Sequence, residues 1–152
     1  MARDGTDGQS PPWTDPNCPV ARTVDLVGDR WSLLIIRDAM DGARSFTDFQ
    51  QRTGIARNIL TERLRKLTAR GLLAQVDSPS GRRRLYALTD AGKDLFPVIV
   101  TLRQWGERHA FDAGEEHSVL VDGDGAPVPD LLPVASDGSP LTSETTSVRR
   151  PI

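Results

Sequence analysis

Apolar side chains recur at every third or fourth position through most of the stretch from Cys18 to Phe111, and polar punctuation divides that stretch into helices. CPVARTVDLVG places Pro19 at a first helical position, Val20, Val24 and Val27 at helical spacing, and Gly28 as a stop. In DRWSLLIIRDAMDG either Asp29 or Ser32 can cap; Trp31, Leu34, Ile35 and Ala39 share a face, and Gly42 ends the run. SFTDFQQRTG predicts a third, short helix capped by Ser45 or Thr47, with Phe46 and Phe49 turned inward. A fourth runs through GIARNILTERLRKLTARGLL, where Leu60, Leu64 and Leu67 share one face and Gly71 terminates.

The period then changes. LLAQVD and RLYALT flank SPSGRR, which predicts a two-stranded hairpin with a basic loop. Thr89 and Asp90 open a long final helix, DAGKDLFPVIVTLRQWGERHAF, with Leu95, Val98, Ile99, Leu102 and Trp105 on one side. Pro97 falls in its first turns, where it is either tolerated or kinks the helix.

Residues 18–111 therefore read as one domain. Residues 1–17, rich in Gly, Pro, Asp and Ser, predict a flexible N-terminal arm. Residues 112–152 predict an acidic, Pro- and Gly-containing tail, partly disordered, in which VLVDGDGAPV can form a β-hairpin around Asp122–Gly125. No run approaches the roughly 18 apolar residues of a membrane span, and the N-terminus has no apolar signal-like core. With a single cysteine there is no internal disulfide, and the expected address is the cytoplasm.

Charge changes this picture more than composition does. The formal net charge of −2 conceals a domain at net +6 over residues 18–111, flanked by an arm at −2 and a tail at −6. Such a centre suits a polyanion, although a solvated face with solubilising tails has the same balance.

Helix, helix, short helix, helix, hairpin, helix is the order of a winged helix-turn-helix domain, mainly α with a small β-hairpin wing. From Cys18 to His109 the chain resembles the HxlR-type transcription regulators, relatives of the MarR-type factors. The resemblance rests on CPV, GDRWSLLIIRDAMDGARSFTDFQ, GIARNILTERLRKLTARGLL and RRLYALTDAGKDLFPVIVTLRQWG. It implies a double-stranded DNA operator as partner and a homodimer formed through the first and last helices. Val24, Leu95, Ile99, Leu102 and Trp105 are the interface candidates. Trp31, Phe46, Phe49 and Trp105 match apolar positions of the family and read as core or interface.

The fourth helix then becomes the reading helix. With its leucines buried, Arg57, Asn58, Thr61 and Arg65 face the opposite side. Arginine can grip a guanine edge with two hydrogen bonds and asparagine an adenine edge; threonine meets a thymine methyl or a phosphate. Arg63, Lys66 and Arg70 are expected at flanking phosphates or in solvent, and Lys66 is counted with the DNA-binding set. Arg82, Arg83 and Arg84 stand at the hairpin turn, where packing needs no such row of cations, and are expected over the backbone or the minor groove. Ser45 and Thr47 start the third helix, whose amides can hold a phosphate or simply be capped; Arg44 is a further phosphate candidate.

Cys18 precedes Pro19 at a helix start, where amide dipoles favour a thiolate. Family members that sense oxidants resemble this sequence there, so Cys18 is either a redox sensor or a packed, inert thiol. In some relatives the tail looks like a cysteine-paired metal ribbon; here it has no cysteine, and no metal or cofactor is expected. A small-molecule effector is compatible with MarR-like architecture, but no polar constellation identifies one. No phosphate loop or nucleophile–base signature is present, so an enzyme is not expected. The competing reading is a winged-helix module that docks a protein instead of specific DNA.

Overall fold

The computed structural model describes residues 13–152. Among these the order is α1 (Pro19–Val27), α2 (Arg30–Met40), α3 (Phe46–Thr53), α4 (Arg57–Ala69), β1 (Leu73–Asp77), β2 (Arg84–Leu88), α5 (Asp90–Lys93) and α6 (Phe96–His109). That is a winged helix-turn-helix. The chain divides into a first unit ending at Phe96 and a second, Pro97–Ile152. No helix among the described residues is long and apolar enough to cross a membrane.

Each helix start has a local cause. Asp29 caps α2, its carboxylate accepting from the Ser32 amide at 3.0 Å and from the Ser32 hydroxyl. Ser45 caps α3 in a reciprocal arrangement with Asp48: the Ser45 hydroxyl accepts from the Asp48 amide, and the Asp48 carboxylate accepts from the Ser45 amide. Gly54 ends α3 in the left-handed region at φ +67°, a conformation glycine adopts without penalty.

The core of the first unit is Ile35, Ile36, Phe49, Ile55, Leu60, Leu64, Leu67 and Leu73, all essentially inaccessible. On α2 the buried positions are Ser32, Ile35, Ile36 and Asp38, while Trp31, Leu34 and Ala39 are half-buried. The expected single stripe is broader than its sequence pattern because α2 packs on α3, α4 and β2 at once.

The hairpin pairs antiparallel from Leu73 opposite Leu88 to Asp77 opposite Arg84. The free edge of β2 is held as well: the Tyr86 amide donates to the Arg44 carbonyl at 2.7 Å, and Ser45 bridges Leu85. At its base Thr89 donates through its amide to Leu72 O and through its hydroxyl to Gly71 O. Gly92 fits against the same carbonyl, where a Cβ would stand 2.2 Å from Leu72 O.

The long helix expected from Asp90 is two helices. In a continuous helix the Pro97 ring would collide with the carbonyl of Lys93, four residues back, and it has no N–H to donate. α5 ends at Lys93, and α6 starts at Phe96. Leu95, expected on the apolar face of that helix, lies instead in the intervening turn, half-buried.

Residues 1–12 of the expected arm lie outside the described residues. Trp13–Asn17 lie against α1: the Thr14 amide and hydroxyl donate to Asp25, and the Arg22 guanidinium sits 4.6 Å from the Trp13 ring centroid. In the second unit the tail folds onto α6. The buried Gln104 donates to Pro129 O at 2.9 Å and accepts from the Leu131 amide at 2.8 Å, as a strand neighbour would. The turn expected around Asp122–Gly125 is present as a Val121–Pro127 bridge, and an unanticipated second bridge joins Val134 to Pro140. Asp122 and Asp137 accept backbone amides within these turns, which holds them locally.

Asp29 supplies a stability test. Burial pushes its carboxyl up, but hydrogen bonds from Ser32 and Arg63 outweigh this and hold it below the usual carboxylate range. Its contribution is complete above the unfolded value of about 3.9 and is lost as pH falls through the lower folded value. Asp29→Ala is expected to cost about 0.5–2 kcal/mol at neutral pH. The gap from the parent should narrow in acid, as urea denaturation at neutral and acidic pH will show.

Candidate nucleic-acid interface

α4 has one buried and one exposed face. Leu60, Leu64 and Leu67 are buried, whereas Arg57, Asn58, Thr61 and Arg65 are exposed and Lys66 is half-buried. Ala56, at the N-cap, makes no side-chain capping bond, and the first turn holds no acidic residue. The positive end of the helix dipole is thus unopposed at the end expected to enter the groove.

Arg57 is not a free side chain. Its guanidinium carbon lies 4.8 Å from the Phe46 ring centroid, and Nη1 is 3.5 Å from Gln50 Oε1. Phe46 and Gln50 belong to α3, so the two helices jointly aim this arginine. Sequence reasoning assigned Phe46 to the core or an interface and gave Gln50 no role. The available signal was an aromatic at the first position of α3, beside the start of α4. Thr61 donates its hydroxyl to Arg57 O at 2.8 Å, which leaves its methyl as the uncommitted group, suited to a thymine methyl.

Two cations expected at phosphates or in solvent turn inward. Arg63 Nε donates to Asp29 Oδ1 at 3.0 Å, tying α4 to the start of α2. Arg70 Nη1 donates to Asp25 O and Leu26 O at 3.2 and 2.9 Å, at the end of α1. The reason is spacing: each stands three residues beyond a buried leucine, Leu60 or Leu67, beside the packed stripe.

Arg82, Arg83 and Arg84 are exposed at the hairpin end. A groove of about 380 Å³ runs from Arg83 and Arg84 past Tyr86 to Ser45, Phe46 and Thr47, joining the wing to the start of α3. Ser45 is half-buried and committed to the Asp48 amide at 3.1 Å, while the Asp48 carboxylate accepts from the Arg44 and Ser45 amides at 3.0 Å each. These backbone bonds, Arg44 first, hold the Asp48 carboxyl below its ordinary range. Asp48 thereby occupies part of the anion position expected for a phosphate. Among the described residues, the first-turn amides of Phe46 and Thr47 are without partners, and Thr47 is exposed.

The remaining candidates lie elsewhere. Cys18 Sγ accepts from the Ala21 amide at 3.4 Å as the cap of α1 and is half-buried. Val24 on α1 is 58% exposed; on α6, Trp105 is 59% and Leu102 49% exposed, with Ile99 half-buried. No group of three or more His, Cys, Asp or Glu side chains clusters among the described residues.

Comparison with known proteins places this geometry. An uncharacterized HTH-type transcriptional regulator of Mycobacterium tuberculosis is 46% identical over 91 residues, which are 59% of this chain and 58% of that protein. The matched segment therefore spans less than two thirds of the relative. The crystal structure of PA1607, described as a candidate transcription factor, superposes with a TM-score of 0.86 at 49% identity, covering 90% of this chain and 96% of that one. The redox regulator HypR in its oxidized form superposes with a TM-score of 0.56 at 30% identity, over 60% of this chain and 97% of its own. The family model described as HxlR-like helix-turn-helix matches residues 26–113, from the end of α1 to just beyond α6. α4, the hairpin and the elements that support them all fall within that match, and the chain belongs to the HxlR-like helix-turn-helix family.

Proposed function

We propose that the chain is a sequence-specific DNA-binding transcription regulator that represses as a homodimer on an inverted repeat, in the cytoplasm beside the chromosome. The observation that carries this reading is the joint exposure of Arg57, Asn58, Thr61 and Arg65 on α4 with Arg82–Arg84 on the wing. The first set suits base edges in the major groove, with Lys66 at its margin, and the second suits the adjoining backbone or minor groove. Thr47 contributes a phosphate contact through its own amide and that of Phe46, while Ser45, expected beside it, is committed to Asp48 and holds the α3 start in place.

Dimerisation through α1 and α6 is supported by apolar side chains left in water on each: Val20 and Val24 on the first, Val98, Leu102 and Trp105 on the second. Ile99 borders that face, and Leu95 lies in the turn just before it. A two-fold pair reads a two-fold operator and fixes the half-site spacing.

Footprinting of the DNA upstream of its own gene tests this. The expected result is protection of two symmetric half-sites, with affinity falling roughly a thousandfold or more between about 50 and 200 mM salt. Binding that is indifferent to salt and to sequence would instead favour the protein-docking module. Cys18 is the one thiol through which an oxidant can act. Under redox control, the parent complex dissociates on oxidation and the Cys18→Ser complex does not; equal dissociation in both removes Cys18 from the reading.

A further inference from the structure

Glu62 is the one acidic residue of α4, and it stands in the middle of the exposed face. The buried side chains of this helix are Leu60, Leu64 and Leu67; Asn58, Glu62 and Arg65 repeat their spacing two residues earlier. Two residues are about 200° of helical turn, so the second row lies nearly opposite the first. All three of its side chains are exposed. Glu62 thus stands between Asn58 and Arg65, in the row from which the base contacts are drawn.

Its carboxylate is also uncommitted. Among the described residues its ion pair is a loose one, with Oε1 3.6 Å from Nη1 of Arg63. Arg63 is drawn the other way, donating through Nε to Asp29. Lys66 follows four residues later, a spacing suited to a surface ion pair, yet no such pair forms among the described residues.

On a duplex this placement has a cost. Phosphates repel a carboxylate in the major groove whatever the sequence. Only a base that offers a donor offsets that repulsion. Cytosine presents its N4 amino group there and no acceptor beside it, whereas guanine and thymine present acceptors, and adenine sets its N6 donor against the N7 acceptor. The arginines carry donors only, so the cytosine amino group is closed to them; a carboxylate carries acceptors only.

We propose that Glu62 is a specificity-determining residue that accepts from the N4 amino group of one cytosine in each half-site and repels the other bases there. The inference rests on the DNA-binding reading and adds to it a base edge that Arg57 and Arg65 cannot select. Rejection of wrong sequences contributes to discrimination as much as attraction to the right one. Glu62 therefore lowers affinity for DNA at large while the cytosine contact restores it at the operator.

The test needs no known operator. Duplexes randomised over about two helical turns are selected on the full-length parent, on Glu62→Gln and on Glu62→Ala, and the bound fractions are sequenced. The parent is expected to retain a C·G pair at one position of each half-site, favoured by roughly 5- to 150-fold over other pairs. The amide head of glutamine suits adenine N6 and N7, so Glu62→Gln should move that position, and no other, from C·G to A·T. Glu62→Ala should leave the position unselective. Both variants should hold unselected duplexes of the pool more tightly than the parent does. Glutamine and alanine are good helix formers, so both should keep the parent's thermal midpoint closely.

The same motif from all three proteins overturns the inference and leaves the DNA-binding reading standing. So does a uniform gain in affinity without a change of base, which makes Glu62 a repelling surface charge only. A parent that retains no sequence even at low salt overturns the DNA-binding reading, and this inference with it.

Discussion

Arg57→Ala is expected to weaken operator binding by roughly 5- to 150-fold and to flatten discrimination at one base position per half-site. Placement is the first reason. Arg57 is the first residue of α4, exposed, at the helix end that carries no cap and no acidic neighbour. A guanidinium resting on the Phe46 ring, within reach of Gln50, is already confined before it meets DNA. Docking then costs it less conformational freedom, so more of the base interaction survives as affinity. Phe46→Leu should reproduce part of the loss while Arg57 itself is retained. Competition binding against operators altered one base pair at a time provides the measurement. A loss spread evenly over all sequences would place Arg57 on a phosphate and remove it from base reading.

The combined replacement of Arg82, Arg83 and Arg84 by alanine should act differently. Specificity should be kept, overall affinity should fall, and the slope of log affinity against log salt should flatten by about 0.9 for every phosphate no longer neutralised. All three side chains are exposed around a turn made by its own backbone, with the Ser78 amide donating to Arg83 O at 3.1 Å and Gly81 at φ +68°. None of them enters an ion pair among the described residues, so their removal should leave folding largely untouched. An unchanged salt slope would mean that the wing does not touch the duplex.

The periodic part of the fold was legible because burial dictates it. Leu60, Leu64 and Leu67 announce both the inward face of α4 and, by subtraction, the outward one. What the stripe does not encode is the reach of long side chains. Arg63 and Arg70 have the same composition signal as Arg65, yet their partners lie at Asp29 and at the carbonyls of Asp25 and Leu26, positions that only the tertiary arrangement brings near. Asp48 shows a related limit. A capping box is visible as Ser45 followed three residues later by an acid, but its consequence for a nearby phosphate appears only once both carboxylate bonds are seen. Pro97 left two outcomes open in the sequence. The clash with the Lys93 carbonyl chose between them and moved Leu95 off the apolar face.

The bonds from Thr89 to Gly71 and Leu72 have an evolutionary consequence. They pin together the two ends of the excursion from Gly71 to Thr89, so that stretch is a closed ring whose anchorage owes nothing to its far end. Residues can be spliced in or removed between Ser78 and Gly81, lengthening or shortening the arginine-bearing finger, without disturbing the leucines beneath. Descendants of this chain can therefore tune how far they extend along a duplex by changing a few codons there, independently of which bases α4 selects.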